Sequence, residues 1–331
     1  MRSWVLVIIA ILVAGELHAQ TGRDKPEMLS DRPDPDGVPT VVVVNTFISD
    51  VITINNVDQS FRVDLYFTVT WKDPRLAGAS RRNLPLADIW HPNLTILDER
   101  NLKELLPWVV TVEKNGEVTL IQRLIGDLSA RMDLHEFPYD HQTLSVQLIS
   151  LDYTPEEIRL QPKTASTQGF AEFSVSGWRL TLGKAYAEPL VIPSTEERLA
   201  QIIYEIDSER DVAYYRWTMS LPLALIVLMA WMVFWIDPSL VASQIGLSTA
   251  SIFSLIAFRF SMRMALPAVS YMTRMDEFLL GCTVLVFMAL GQAVVTGRLA
   301  KDNRESTAQT LDRWGRWIYL GVFVLLVIFY L

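Results

Sequence analysis

Three runs of apolar residues close this chain: Trp217 to Ile236, Phe278 to Val295 and Trp314 to Leu331. Each is long enough, at about 1.5 Å per helical residue, to cross roughly 30 Å of hydrocarbon. In hydrocarbon every backbone N–H and C=O must be satisfied within its own segment, so these runs are confined to membrane helices. Between the first two lies Pro238 to Met264, helical in character but too polar to face lipid all round. It carries Ser239, Ser243, Gln244, Ser248, Thr249, Ser251, Ser254, Arg259 and Arg263. Polar groups at that depth must face protein or a water-filled cavity, so this segment is the candidate pore liner. The expected helices are 214–236, 238–264, 275–296 and 313–331. Three apolar helices and one polar one cannot enclose a pore alone, which predicts a ring of identical copies.

The preceding part has a different period. Phe61-Arg-Val-Asp-Leu-Tyr-Phe-Thr-Val-Thr-Trp71 alternates, with Phe61, Val63, Leu65, Phe67, Val69 and Trp71 on one face. Leu144 to Leu148 and Trp178 to Leu182 do the same, and Asp73-Pro74 and Lys114-Asn115-Gly116 supply turns. Many short strands at this spacing predict an all-β, immunoglobulin-like sandwich over 41–212. At the start, basic Arg2, apolar Val5 to Val13 and the site Leu17-His18-Ala19 read as a secretory signal peptide over 1–19. Residues 20–40, with their Pro and Asp, read as a flexible tail. The exported sandwich then lies outside. The Thr296 to Arg316 linker, with Arg298, Lys301, Arg304, Arg313 and Arg316, lies in the cytoplasm by the positive-inside rule. That places the chain in the plasma (inner) membrane as a multi-pass protein. A net charge of −8 argues against nucleic acid as a partner. A single cysteine, Cys282, allows neither an intrachain disulfide nor a thiolate metal cluster. No metal or cofactor is expected.

Five stretches in order resemble the prokaryotic branch of the pentameric ligand-gated ion channels, relatives of the Cys-loop receptors. Met132-Asp-Leu-His-Glu-Phe-Pro-Tyr-Asp140 is similar to that family's signature loop, with Ala130 and Leu144 where animal members have cysteines. Trp71-Lys-Asp-Pro-Arg-Leu76, Trp90-His-Pro92, Tyr214 to Leu223 and Ser261 to Tyr271 resemble its other motifs. The resemblance covers nearly all of Val41 to Leu331. It implies a homopentamer around a central pore, in a lipid bilayer, passing inorganic ions.

What the resemblance implies for the sites follows residue by residue. The loop bearing Phe137, Pro138 and Tyr139 presses on the linker between the second and third helices at Leu266, Pro267 and Tyr271. An ionic cluster joins Asp140 and Asp58 to Arg210, just before the first helix. An agonist site between subunits maps onto Tyr66, Tyr153 and Tyr186, where aromatic faces could hold a cationic amine. Leu97 and Leu151 stand at two positions that are usually aromatic. The trigger is then a small amine-like ligand or protons. His135 and His141 bracket the signature loop and titrate near neutrality, as His91 does.

The pore-lining face depends on which end of the second helix is used for counting. From Trp235 forward, Gln244, Ser248, Ser251, Leu255 and Phe258 face the axis. From Leu266-Pro267 backward, Gly246, Ala250, Phe253, Ala257 and Phe260 do. The first stripe is polar below and apolar above, which suits hydrated ions beneath a dewetting gate, and it is the stripe expected here. Cation selectivity follows the family's bacterial members, with anion selectivity the alternative. A non-conducting membrane-anchored sensor would not need the polar second helix. No hydrolase or phosphate-loop motif occurs, so the chain does not read as an enzyme.

Overall fold

The computed structural model describes residues 29–33, 37–78, 80–166, 173–265 and 269–330. The expected signal peptide, most of the expected tail, Leu266 and Pro267 lie outside the described residues. Among the described residues thirteen strands precede the long helices: β1 Thr40–Asn55, β2 Ser60–Lys72, β3 Arg82–Pro85, β4 Leu94–Ile96, β5 Lys103–Glu104, β6 Val109–Val112 and β7 Glu117–Ser129. Then come β8 His141–Ser150, β9 Ile158–Ser166, β10 Trp178–Ala187, β11 Leu190–Val191, β12 Arg198–Leu199 and β13 Gln201–Arg210. One sheet runs β3-β6-β7-β2-β1-β9, with β5 also on β7; a second runs β10-β13-β8-β4. The alternation in β2 does what its period requires. Phe61, Val63, Leu65, Phe67, Val69 and Trp71 are all buried. From β13 the buried Tyr204 hydroxyl donates to the Val44 carbonyl of β1 at 2.7 Å, tying the sheets through the core.

Among the described residues four helices are long and apolar enough to span a membrane: Arg216–Trp235, Val241–Arg263, Arg274–Lys301 and Glu305–Tyr330. The first follows β13 almost without a break. Asp211 caps its opening turn by accepting from the Ala213 N–H at 3.0 Å. The second runs helically to Ala265. A capping box, Thr273 with Asp276, starts the third. The third helix continues to Lys301 and the fourth begins at Glu305, so only 302–304 join them. The expected Thr296 to Arg316 linker is therefore mostly helix, because hydropathy marks the buried part of a helix and not its end. Arg316 is part of the bundle. Its Nε donates to the Phe234 carbonyl at 2.9 Å and its guanidinium lies 4.3 Å from the Trp235 ring centre.

Candidate coupling junction and pore helix

The last residue of β13 organises the junction between sandwich and helices. Arg210 and Asp140 form a fork-to-fork pair, Nε to Oδ1 at 2.8 Å and Nη2 to Oδ2 at 2.9 Å. Their side chains are 0% and 1% exposed. Nη1 donates to the Tyr215 hydroxyl at 3.1 Å, and Nη2 also to Asn56 Oδ1 at 3.2 Å. The guanidinium carbon lies 4.1 Å from the Trp178 ring centre, 4.9 Å from Phe137 and 5.3 Å from Tyr215. A planar cation with a rigid donor fork meets all of these demands at once, which an ammonium could not. Gln142 completes the set: its Nε2 donates to Asp140 Oδ2 at 2.7 Å and to the Asp133 carbonyl at 2.6 Å.

Asp58 is not in this cluster. It is exposed and accepts from Asn55 Nδ2 at 2.7 Å, while Asn56 on the same turn reaches Arg210. A second carboxylate beside one buried guanidinium would leave a net negative charge in a dry site; an amide oxygen supplies the contact without it. Trp178, Tyr215, Gln142 and Asn56 were missed from the sequence. Only Trp178 had a usable signal, since β10 pairs with β13 in a register that sets Trp178 opposite Arg210.

Among the described residues the signature loop meets the first helix and the stretch that leads into the third. Phe137 and Pro138 are buried, and Phe137 packs edge-on to Tyr215 at 5.2 Å. Tyr271 of that stretch accepts from the Leu134 N–H at 2.9 Å and stacks on the His135 ring at 3.8 Å. Arg274, opening the third helix, bridges three elements. Its N–H donates to the His135 carbonyl at 2.8 Å, its Nη1 to Glu136 at 3.1 Å and its Nη2 to the Phe329 carbonyl at 3.1 Å. Tyr139 lies under it at 5.0 Å. His135 is exposed, with Nδ1 2.6 Å from Asp133 Oδ1. The His135 backbone N–H, then its ring, hold the Asp133 carboxyl below the usual carboxylate range. His141 is exposed at the start of β8.

Tyr66, Tyr153 and Tyr186 are each held by a different neighbour within the chain. Tyr66 on β2 lies 5.2 Å from the Arg123 guanidinium, which forks onto Asp64. The Tyr153 hydroxyl accepts from Trp90 Nε1 at 2.8 Å. The Tyr186 hydroxyl on β10 donates to Glu205 at 3.0 Å. β2 and β10 belong to different sheets.

On the second helix most of the expected stripe faces into the chain's own bundle. Gln244, Ser248 and Ser251 are 0% exposed and Leu255 1%, all within a single chain. A side chain already enclosed by its own subunit cannot line an axis shared with other copies. Phe258 is half-buried. The opposite stripe is open: Gly246, Ala250 and Ala257 are exposed, and Phe253 and Phe260 are 67% and 68% exposed. The polar side chains turned inward because the helix bundle satisfies part of their bonding. Gln244 Nε2 donates to the Ile236 carbonyl at 3.0 Å, and Ser251 Oγ to the Leu247 carbonyl at 2.9 Å.

A family model described as the neurotransmitter-gated ion-channel ligand binding domain matches residues 28–210. A second, the neurotransmitter-gated ion-channel transmembrane region, matches residues 219–300. The gamma-aminobutyric acid receptor subunit beta of Lymnaea stagnalis is 24% identical, over 78% of this chain and 56% of that protein. The chain thus spans little more than half the length of that relative. The boundary between the two matches falls at the Arg210 junction, where sandwich gives way to helices. The chain belongs to the neurotransmitter-gated ion-channel family, membrane proteins with an extracellular ligand-binding sandwich and four transmembrane helices that work as ligand-gated channels and not as enzymes.

Proposed function

We propose that five copies of this chain form a bacterial inner-membrane channel whose periplasmic sandwich opens a pore lined by Gly246, Ala250, Phe253, Ala257 and Phe260. The observation that carries this reading is the Arg210 cluster. One guanidinium ties the signature loop, the β1–β2 turn, the last strand and the first span into a unit, so movement in the sandwich is delivered to the helices. A bacterial origin is supported by Ala130 and Leu144 at the positions of the missing cysteines and by the brief 302–304 connection. The trigger is a small amine-bearing ligand held between subunits. Tyr66 is on one sheet and Tyr186 on the other, so two adjacent copies could face these rings towards one ligand. Glu205 beside Tyr186 would suit an ammonium, and Arg123 beside Tyr66 a carboxylate. Gamma-aminobutyric acid, from which the Lymnaea stagnalis receptor subunit takes its name, carries both groups. A second trigger is proton binding at His135, favoured by its stack on Tyr271, with His141 alongside it on the loop.

With the stripe reassigned, charge favours anions. No Asp or Glu occurs from Val241 to Ala265, and Arg263 is exposed near the outer end. A specific observation favours the cation reading. Asp237 is exposed ahead of the second helix, and the Ser239 hydroxyl, then its N–H, hold its carboxyl below the usual range. Reversal potentials in a salt gradient decide. The anion reading expects a reversal near the chloride potential, moved towards the cation potential by Arg263→Glu. A cation reversal that Asp237→Asn abolishes overturns it. Currents evoked by amino acids at constant pH support the amine trigger; currents evoked only by pH steps, and lost in His135→Gln, overturn it.

A further inference from the structure

We propose that the sandwich end of the helix bundle binds the carboxylate of a single-chain membrane amphiphile, a fatty acid, in a cavity between the second and third helices, with Arg259 as its anion partner. The cavity holds about 680 Å³ and is lined by Arg259, Met262 and Arg263 of the second helix and by Asp276, Leu279 and Leu280 of the third. These two helices pack against each other, so the side chains share one space. Arg259 is half-buried, and at 1.5 Å per residue it stands about 9 Å inside the helix end at Ala265. Arg263 is exposed one turn on, on the same face. Neither arginine forms an ion pair among the described residues. Asp276 is the one carboxylate lining the cavity among them, and it is committed to the capping box. Its Oδ2 accepts from the Thr273 N–H at 3.1 Å and from the Thr273 hydroxyl at 2.8 Å.

Two guanidinium groups against one carboxylate leave the cavity with one positive charge in excess. A cation at this depth in a membrane is costly unless an anion meets it. One monoanion restores the balance, and a carboxylate accepts from a guanidinium fork through both oxygens. The apolar walls call for an apolar body behind that charge. The third helix offers a track for it. Leu280 lines the cavity, and Val284, Phe287 and Met288 continue its face away from the sandwich, all four of them exposed. Leu134 of the signature loop and Tyr271 border the cavity on the sandwich side. That decides between amphiphiles. A fatty acid ends at its carboxylate, so nothing polar has to pass these two residues, whereas a phospholipid carries a headgroup beyond its phosphate. The bound acid braces the second helix against the third beneath the contact of Leu134 with Tyr271. This inference rests on the bundle of one chain and stands apart from the agonist and the pore stripe.

The test counts palmitate on the full chain by native mass measurement, after detergent has stripped the cellular lipid. Palmitate should bind saturably, to one molecule per chain, while hexadecanol, with the same tail and no charge, should not. Arg259→Gln should raise the half-saturating palmitate concentration about tenfold or more, and Arg259→Lys should restore part of the loss. If Arg259→Gln does not fold, Leu280→Trp serves instead: at an exposed position it fills the apolar part of the cavity and should lower the palmitate count. Equal binding of palmitate and hexadecanol overturns the proposal, because the apolar track alone would then select. Unchanged palmitate binding in the variants overturns it too. So does displacement of palmitate by an equal concentration of phosphatidylglycerol, which would make this a phospholipid site. A structure of the assembled protein with a neighbouring copy's side chains filling the cavity overturns it as well. Binding is counted without current, so the result does not depend on the channel reading.

Discussion

The Arg210 guanidinium makes four hydrogen bonds and touches three aromatic rings with no exposed side-chain surface. Removing it strands the Asp140 carboxylate in a dry pocket. Breaking a buried pair by losing one partner costs about 3–5 kcal/mol, so Arg210→Ala should lower Tm clearly and silence the current. Arg210→Lys should rescue little, because an ammonium cannot fork onto Asp140 while meeting Tyr215 and Asn56. Asn56→Ala removes one hydrogen bond to a charge and should cost about 1.5–3 kcal/mol with a shifted dose–response curve. Asp58→Asn, at an exposed site, should leave that curve in place; a shift as large as that of Asn56→Ala would restore Asp58 to the cluster. A different residue sets acid sensitivity in the sandwich. Burial pushes the His91 imidazole below its ordinary value, against a smaller opposing pull from Asp152. Nδ1 accepts from the Asn93 N–H at 3.2 Å, which requires the neutral ring. The folded chain therefore holds fewer protons at His91 than the unfolded chain does. Stability is full above about pH 6.5 and falls as pH drops below it. His91→Gln should flatten Tm against pH between about pH 5 and 7. An unchanged slope would place the acid response elsewhere.

At the scale of elements, strands were easier to read than the faces of helices. In β2 a period of two maps onto an inside and an outside, and the alternation from Phe61 to Trp71 left no choice. The second helix offered no such rule. Its two ends gave registers about 200° apart, and the polar stripe was matched to water when its own bundle encloses it. Amphipathicity says which residues share a face, not whether that face meets a pore or neighbouring helices. The junction divides in the same way. Asp140 and Arg210 sit in motifs and were legible. Asn56 and Tyr271's partner Leu134 emerge only when the loop is placed in space. Cysteine substitution separates the two helix faces. Ala250→Cys and Phe253→Cys should be blocked by a charged, water-soluble thiol reagent within an open-channel recording. Ser248→Cys and Ser251→Cys should stay silent, since the reagent would have to enter the bundle. Block at the serines with silence at Ala250 and Phe253 would return the pore to the polar stripe.

For the whole molecule, the open face of the second helix sets the assembly. Phe253 and Phe260 are exposed beside Arg263 on the same helix. Lipid would suit the phenylalanines but not a guanidinium near the membrane's outer edge, and among the described residues one chain has no further helix to cover both. A ring answers this, because each copy turns that face to a shared axis where water reaches the arginines and phenylalanines form a constriction. The ligand site proposed above would need the same neighbouring copy, since Tyr66 and Tyr186 lie on different sheets. Detergent-solubilised protein should therefore have five times the subunit mass by native mass measurement. Mixing adds a functional reading. Coexpressing wild-type and Arg210→Ala chains should give channels of graded response, since each pore would contain a distribution of intact and broken junctions. Two separate populations, one wild-type and one silent, would mean that each chain conducts alone. A monodisperse monomer or dimer with agonist-evoked current would remove the shared axis, and with it the assignment of Gly246, Ala250, Phe253, Ala257 and Phe260 to the pore.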